Sequence, residues 1–499
     1  MFEFLRVVLV LIIILTTALW HRYPRRNLPP GPSGLPLIGC LLRLGERPHK
    51  KFKEWAKVYG DVFSVRLGTE LVVVLNSSRA IKEAFIKKSS MFSSRIQEGL
   101  FRQLFNGKGI LFAPWPTWKD LRKCCSNVFH ELGMAKNSTE LRIQEESKHL
   151  VKSLRELNGA PTDLSQVLMS AVSNITCNLL FGKRFDYDDE VFKGLLEITR
   201  QIAVNSQRSS ILTFIPLLCR LPLPLKTMLV AETNRLVMFM EKAVAEHAEM
   251  ISQNKPIQES FIGGYISQVQ NYKRNPFNMH NSSTFSEDPD HLKYSLTALF
   301  GAGTDTTATT LLWALLYLCL NQDIQENCFS EIKNAIGLEN APCYADKAKL
   351  PYVEAALFEV QRIASIVPLG IPRSMIEDSE LFGYNIPKES LIMPNFWAVQ
   401  MNEEQWEHPE KFDPARFLDD SGRLVNSERL MLFSVGPRDC LGSQLAKMEM
   451  FLFLTRLIQQ FQFKLPDDDI IPSTEGHFGF VVAPENFKII AVERAADDK

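Results

Sequence analysis

The sequence predicts a mainly α-helical protein: one large helical body with small β-sheets, preceded by an N-terminal membrane anchor helix. Three observations predict it. From 116 to about 336 apolar residues recur with helical spacing. Strand-like runs are short, at 62–67 and 71–75 around a Gly68 turn and again near 381–391. Nothing after Pro36 reads as an interdomain linker. The expected organisation is an anchor at 1–21, a basic and proline-rich hinge at 22–36, and a single body at 37–499.

The anchor rests on 7–20, an almost wholly apolar run followed by His21-Arg22-Tyr23-Pro24-Arg25-Arg26. Fourteen residues fall short of the ~20 needed to span a bilayer. Adding 2–5, with Arg6 reaching back to the interface, gives a workable length. A cleavable signal peptide is the alternative, but no small-x-small site follows, and the basic flank favours a retained anchor with a cytosolic body. Leu28-Pro-Pro-Gly-Pro-Ser-Gly-Leu-Pro36 then reads as a stiff tether.

Over the whole chain, 56 basic and 57 acidic residues give no global field for nucleic acid, so no such partner is expected. Nine cysteines without a CxxC pair suggest a reducing compartment. Acceptor-like triplets at Asn76, Asn137, Asn174 and Asn281 should then carry no glycan. Pro216, Pro222 and Pro224 punctuate an apolar stretch, 211–225, expected as a greasy surface loop that touches the bilayer. The polar segment 271–290 is expected as an exposed loop.

Chemistry concentrates in Phe433-Ser-Val-Gly436-Pro-Arg438-Asp-Cys440-Leu-Gly442, just before an apolar helical run at 445–461. A thiolate at a helix start meets unpaired N–H groups and the positive dipole end, which favour the ionised sulfur. Gly436 permits a tight reversal, and Gly442 a close approach to a large flat object. Arg438 offers a fork of donors suited to a carboxylate. Together they describe a seat for haem, with Cys440 on the iron and Arg438 on a propionate.

A second cluster, Phe300-Gly-Ala302-Gly303-Thr304-Asp305-Thr306-Thr307, interrupts a long apolar helix. A carboxylate and hydroxyls there are costly unless partnered. Threonine hydroxyls bonding back to the preceding turn are expected to open the helix locally. Gly301, Ala302 and Gly303 would let it pass close to a planar cofactor. Glu359 and Arg362 share one helix face, a spacing that by itself says little.

The cysteine stretch fits Phe-x-x-Gly-x-Arg-x-Cys-x-Gly at every fixed position, and on it the chain resembles the cytochrome P-450 family of haem-thiolate monooxygenases. The Pro-Pro-Gly-Pro hinge and the Ala302–Thr307 segment resemble its microsomal, membrane-anchored, family-2-like branch, with 37–499 as the catalytic domain. Ser260-Phe-Ile-Gly263-Gly264, Gln400 and Pro437 depart from the pattern and leave the subfamily open.

The resemblance implies haem b (iron protoporphyrin IX) with Cys440 as axial thiolate and metal ligand. Trp118-Lys-Asp-Leu-Arg122 and Ile371-Pro372-Arg373 add contacts, so Trp118, Arg122, Ala302, Arg373, Phe433, Arg438, Cys440 and Gly442 form the cofactor set. Glu359, Arg362 and Arg416 of Phe412-Asp-Pro414-Ala-Arg416-Phe417 are implied as a structural network. Thr306 and Asp305 are the implied catalytic pair for protons, with Thr306 holding O2 and its water. Leu111, Phe112, Leu299, Ala302, Val367, Ile371 and Phe478 are the implied substrate contacts, all apolar.

The implied reaction puts one oxygen atom from O2 into a lipophilic small molecule (steroid, fatty acid or xenobiotic), using NADPH-derived electrons. With no flavin, nucleotide or iron–sulfur signature in the chain, the donor is an NADPH-cytochrome reductase flavoprotein, with cytochrome b5 as a second donor. Lys119, Lys123 and Lys447 are the expected docking cations. The implied location is the endoplasmic reticulum membrane with the catalytic domain on the cytosolic face. Two alternatives stand beside this: a haem-thiolate isomerase or dehydratase acting on peroxides without a reductase, and a non-enzymatic haem sensor or electron carrier.

Overall fold

The computed structural model describes residues 27–494 apart from 135, 210, 254, 256–258, 275–286 and 467–470. The expected anchor at 1–21 and the first part of the hinge lie outside the described residues. Among the described residues no helix is long and apolar enough to cross a membrane.

The principal helices are α1 (Pro48–Tyr59), α2 (Gly99–Phe105), α3 (Gly109–Phe112), α4 (Trp115–Glu131), α5 (Asn137–Glu156), α6 (Ser165–Phe181) and α7 (Glu190–Arg208). They continue as α8 (Pro224–Ser252), α9 (Phe261–Arg274), α10 (Asp290–Leu320), α11 (Gln322–Ile336), α12 (Pro351–Ala364) and α13 (Ser443–Gln460). The main sheet contains β1 (Val62–Leu67), β2 (Glu70–Leu75), β3 (Arg373–Ser374) and β6 (Leu391–Pro394), in the order β1-β2-β6-β3. β1 and β2 are antiparallel with Val62 opposite Leu75, whereas β2 and β6 are parallel. Small pairs complete the sheets: β4 (Ser379–Leu381) with β5 (Tyr384–Ile386), β7 (Phe461–Lys464) with β10 (Ile490–Glu493), and β8 (His477–Phe478) with β9 (Val482–Ala483).

α10 organises the body. Its second half, from Thr307 through Leu318, is buried nearly all round, as a helix apolar on every face must be. Asp290 sits at its positive end and Asn321 closes the other by bonding the Tyr317 carbonyl at 2.8 Å. α6, α12 and α13 pack around it, and each fully buried Leu or Phe there contributes roughly 1.5–3 kcal/mol. Gly303 serves this packing: a Cβ there would lie 2.7 Å from the Thr176 hydroxyl of α6. The expectation that Gly303 faces a cofactor is corrected accordingly, since it brings two helices together.

Three other expectations change. The hinge residues 29 and 30 do not stand away from the body, because both carbonyls accept hydrogen bonds from Ser64 of β1. Pro224 does not break a loop; it opens α8 at a helix-start position, where its missing N–H costs nothing. The segment 211–225 is wound into short turns (Ile211–Phe214 and Pro216–Arg220), with Leu217 67% exposed. Within 271–290, the first four residues finish α9 and Asp290 begins α10, while 275–286 lie outside the described residues. Asn76 and Asn174 are buried and bonded to Asn395 and to Phe185, leaving no room for a glycan.

Candidate functional site

The loop between Phe433 and Gly442 is closed on itself by Cys440 N–H donating to the Phe433 carbonyl (2.9 Å) and Asp439 N–H to the Gly436 carbonyl (3.0 Å). Gly436 has φ +79°, and a Cβ there would collide with the Phe85 carbonyl, so both backbone and space demand glycine. Gly442 precedes α13, and a Cβ on it would meet no protein atom within 4 Å. The loop thus presents an exposed Cys440 at a helix start. The expected tilt toward thiolate is not the net result. Desolvation pushes the Cys440 thiol up, outweighing the Gly442 N–H and Arg122, which pull it down. Coordination to a metal would offset that desolvation and favour the thiolate.

Beside the loop lies a buried group of guanidiniums. Arg438 donates to the carbonyls of Ser93 (3.0 Å), Ala113 (2.8 Å) and Leu111 (3.4 Å), and its Cζ lies 4.0 Å above the Trp118 ring. Arg373 donates to Ser434 Oγ (3.2 Å) and the Val435 carbonyl (3.1 Å) while its Cζ sits 3.5 Å over Phe85. Arg95 donates to the carbonyls of Ile371 (2.6 Å) and Pro372 (3.0 Å). Desolvation, then mutual repulsion, holds Arg373 and Arg438 well below the ordinary arginine range; burial lowers Arg95 to about 10. Arg373 Nη1 and Arg95 Nε are buried without a partner among the described residues. Asp439 approaches the group, but Arg122 takes it with a 2.7 Å ion pair and a second bond to its carbonyl. Three buried cations satisfied by neutral oxygens, with donors left over, fit a ligand carrying two carboxylates, as the haem propionates do. Arg122, expected among the clamps, is engaged instead by the loop itself.

Across from the cysteine loop, α10 is continuous through Gly301–Thr307, contrary to the expected local opening. Thr306 Oγ1 donates to the Ala302 carbonyl at 2.8 Å and Thr310 Oγ1 to the Thr306 carbonyl at 2.9 Å, so the hydroxyls ride on an intact helix. Desolvation raises Asp305 to about 6. Ala302 is exposed, and a Cβ at Gly301 would meet no protein atom within 4 Å. Thr306, Thr310, Ser365, Val367 and Phe433 line one cleft, which places the threonine turn and the cysteine loop on a shared space.

Among the apolar positions, Leu111, Leu299, Val367, Ile371 and Phe478 are half-buried. Phe112 differs: it is 2% exposed, stacked on Phe101 (5.0 Å) and Phe105 (4.5 Å), so it backs the wall instead of facing inward. Phe478 stacks on His49 at 5.3 Å. Behind the loop, Glu359 receives Arg362 at 2.6 and 2.8 Å, Arg416 at 3.0 Å and the Asp413 N–H at 3.0 Å. Arg362 also donates to the carbonyls of Gln400 and Pro409. The three residues do form one network.

Sequence reasoning missed Arg95 and Glu449. Arg95 sits in no motif, and only the pairing of Ser94 with Ser374 brings it to Arg373. Glu449 on α13 is buried, its carboxyl driven well up by desolvation with Thr307 of α10 opposing, and its Oε1 lacks a partner among the described residues. A charged residue inside an apolar helical run was the available signal for it.

Residues 29–491 match the family model described as Cytochrome P-450. Cytochrome P-450 2U1 of Homo sapiens is 37% identical over 505 residues, spanning 95% of this chain and 91% of that protein. Cytochrome P-450 2J2 of Homo sapiens is 34% identical over 471 residues (94% and 91%), and Cytochrome P-450 2H2 of Gallus gallus 36% over 461 (91% of each).

Proposed function

The chain belongs to the cytochrome P-450 family and is a monooxygenase using haem with an axial cysteine thiolate, O2, a lipophilic substrate and a redox partner; from that premise we propose that it hydroxylates a steroid, fatty acid or xenobiotic with NADPH-derived electrons. Cys440 supplies the thiolate, and Arg95, Arg373 and Arg438 hold the propionates. Trp118 lies under Arg438, and Gly442 and Phe433 frame the thiolate side. When bound, the haem supplies electron uptake and O2 activation. What most supports the reading is the Asp305–Thr306 pair, set on a helix that shares a cleft with Phe433 of the cysteine loop.

The protein's own residues manage protons and water. Asp305, raised to about 6, can both take and release a proton near neutral pH. Thr306 donates its hydroxyl proton to the Ala302 carbonyl 2.8 Å away and keeps its oxygen lone pairs to accept from a water in the cleft. Leu111, Leu299, Ala302, Val367, Ile371 and Phe478 exclude water and select substrate by shape, with Phe112 behind them.

The working place is the endoplasmic reticulum membrane, body on the cytosolic side, held by residues 1–21. Ile211, Leu217, Leu221, Leu225 and Met228 are exposed apolar side chains within the stretch 211–228, a concentration suited to lipid. An NADPH-cytochrome reductase is the donor, with cytochrome b5 as the second, and exposed Lys119 and Lys123 with half-buried Lys447 greet its acidic surface.

Cys440→Ser tests the assignment: the red-shifted Soret band of the reduced CO complex should vanish. Retention of that band together with turnover would overturn it. A spectral binding screen of steroids, fatty acids and drug-like molecules would identify the substrate class.

A further inference from the structure

The segment carrying Leu111 is held against α10 by a clamp of side chains outside the catalytic pair. Lys108 Nζ reaches Asp288 Oδ2 at 2.9 Å and Asp290 Oδ2 at 2.6 Å. Gly109 N–H donates to His291 Nδ1 at 3.2 Å and Ile110 N–H to Ser295 Oγ at 3.0 Å. Gly109 has φ +74°, and a Cβ there would lie 2.7 Å from the Tyr294 carbonyl carbon, so backbone rests on backbone. On its far side the same segment is gripped by Arg438 through the Leu111 and Ala113 carbonyls, and by Gln97 through the Phe112 carbonyl at 2.9 Å. One short stretch thus joins the propionate arginine, the pocket wall and the start of α10.

We propose that His291 is a specificity-determining positioning residue: as a neutral acceptor for the Gly109 N–H, it fixes the Lys108–Ala113 wall and so makes the pocket selective for substrate shape. This rests on the reading of Leu111 as a pocket-lining residue. His291 is buried, and its imidazole is held below the ordinary histidine range by burial first, with Lys108 pushing the same way and Asp288 and Asp290 opposing. The neighbouring Lys293 is occupied by Asp290 and by Glu241 of α8. A protonated Nδ1 could not accept from Gly109, so the neutral state is the one the wall needs. An apolar replacement leaves a buried N–H without a partner, which costs more than an average hydrogen bond.

The test uses the haem-loaded full chain and two iron-binding probes: imidazole, too small to need the wall, and 4-phenylimidazole, whose ring must pack against it. His291→Leu should weaken 4-phenylimidazole by about tenfold and leave imidazole unchanged. His291→Asn, with an acceptor at the same reach, should restore binding. Ser295→Ala, a milder loss in the same clamp, should weaken 4-phenylimidazole by about threefold, and decides the matter if His291→Leu fails to retain haem. Leu111→Ala is the control for the wall. If it weakens 4-phenylimidazole while the His291 and Ser295 variants do not, the role of His291 is overturned alone. If Leu111→Ala itself binds normally, the lining assignment falls, and this proposal with it. Equal weakening in His291→Asn and His291→Leu would also overturn it, because ring volume and not the acceptor would then be what matters.

Discussion

The guanidinium of Arg438 lies 4.0 Å above the indole of Trp118 while donating to the carbonyls of Ser93, Leu111 and Ala113. The ring supports one face and the carbonyls fix the edge, so the cation is oriented by protein alone. An anion arriving there needs no rearrangement, which is the meaning of preorganisation for a carboxylate site.

Arg438→Lys keeps the charge and loses the planar fork. An ammonium cannot reach three carbonyls and stack on Trp118 at once. Haem retention should fall by about tenfold or more, read as the red-shifted CO band per mole of folded protein. Full retention would mean that charge alone suffices.

Arg95→Met removes a buried cation that repels Arg373 and Arg438. The apoprotein should keep its urea midpoint, because relief of repulsion offsets the lost bonds to Ile371 and Pro372. The loaded protein should release haem about tenfold faster. A large fall in apoprotein stability would show that Arg95 is structural first.

How far these residues were legible depended on whether their chemistry is local. The Phe433–Gly442 loop could be read because its glycines, arginine and cysteine act within ten residues, and the β1–β2 hairpin because two short apolar runs flank the Gly68 turn. Arg95 could not, since sheet pairing of Ser94 with Ser374 creates its site. Gly303 was read as a cofactor contact because sequence cannot say which face of α10 meets α6. Phe112 follows the same logic: neighbouring positions on the helical turn 109–112 diverge by about 100°, and only packing on Phe101 and Phe105 shows that Phe112 is buried behind Leu111.

Asp305 has a folded-state pKa raised from 3.8 to about 6. A raised carboxyl contributes stability fully below the unfolded value, and this is lost as pH rises through about 6. Asp305→Asn should therefore flatten the stability profile between pH 4 and 7. In turnover, the wild type should decline above pH 6 as the acid form is depleted, and the variant should lose that inflection along with about a hundredfold of rate. An unchanged profile would remove Asp305 from the relay.

Glu359→Gln leaves Arg362, fully buried at 0% exposure, without its compensating charge. Breaking a buried pair from one side costs about 3–5 kcal/mol, so the urea midpoint should fall sharply. Haem that remains bound should show an unaltered CO band, because the network lies behind the loop and not at the iron.

Glu449 is the converse case, a buried carboxyl with no cation among the described residues to hold its charge. Desolvation drives it well up and the Thr307 hydroxyl opposes only in part. The fold therefore favours its neutral form relative to the unfolded chain. By the same linkage, its contribution is complete below the ordinary glutamate range and erodes as pH rises. Glu449→Gln is neutral in both states and similar in shape, so it should erase that erosion. Urea midpoints at pH 5 and pH 8 provide the measurement. The wild type should lose more stability than the variant between the two, and parallel losses would show that the carboxyl stays charged in the fold.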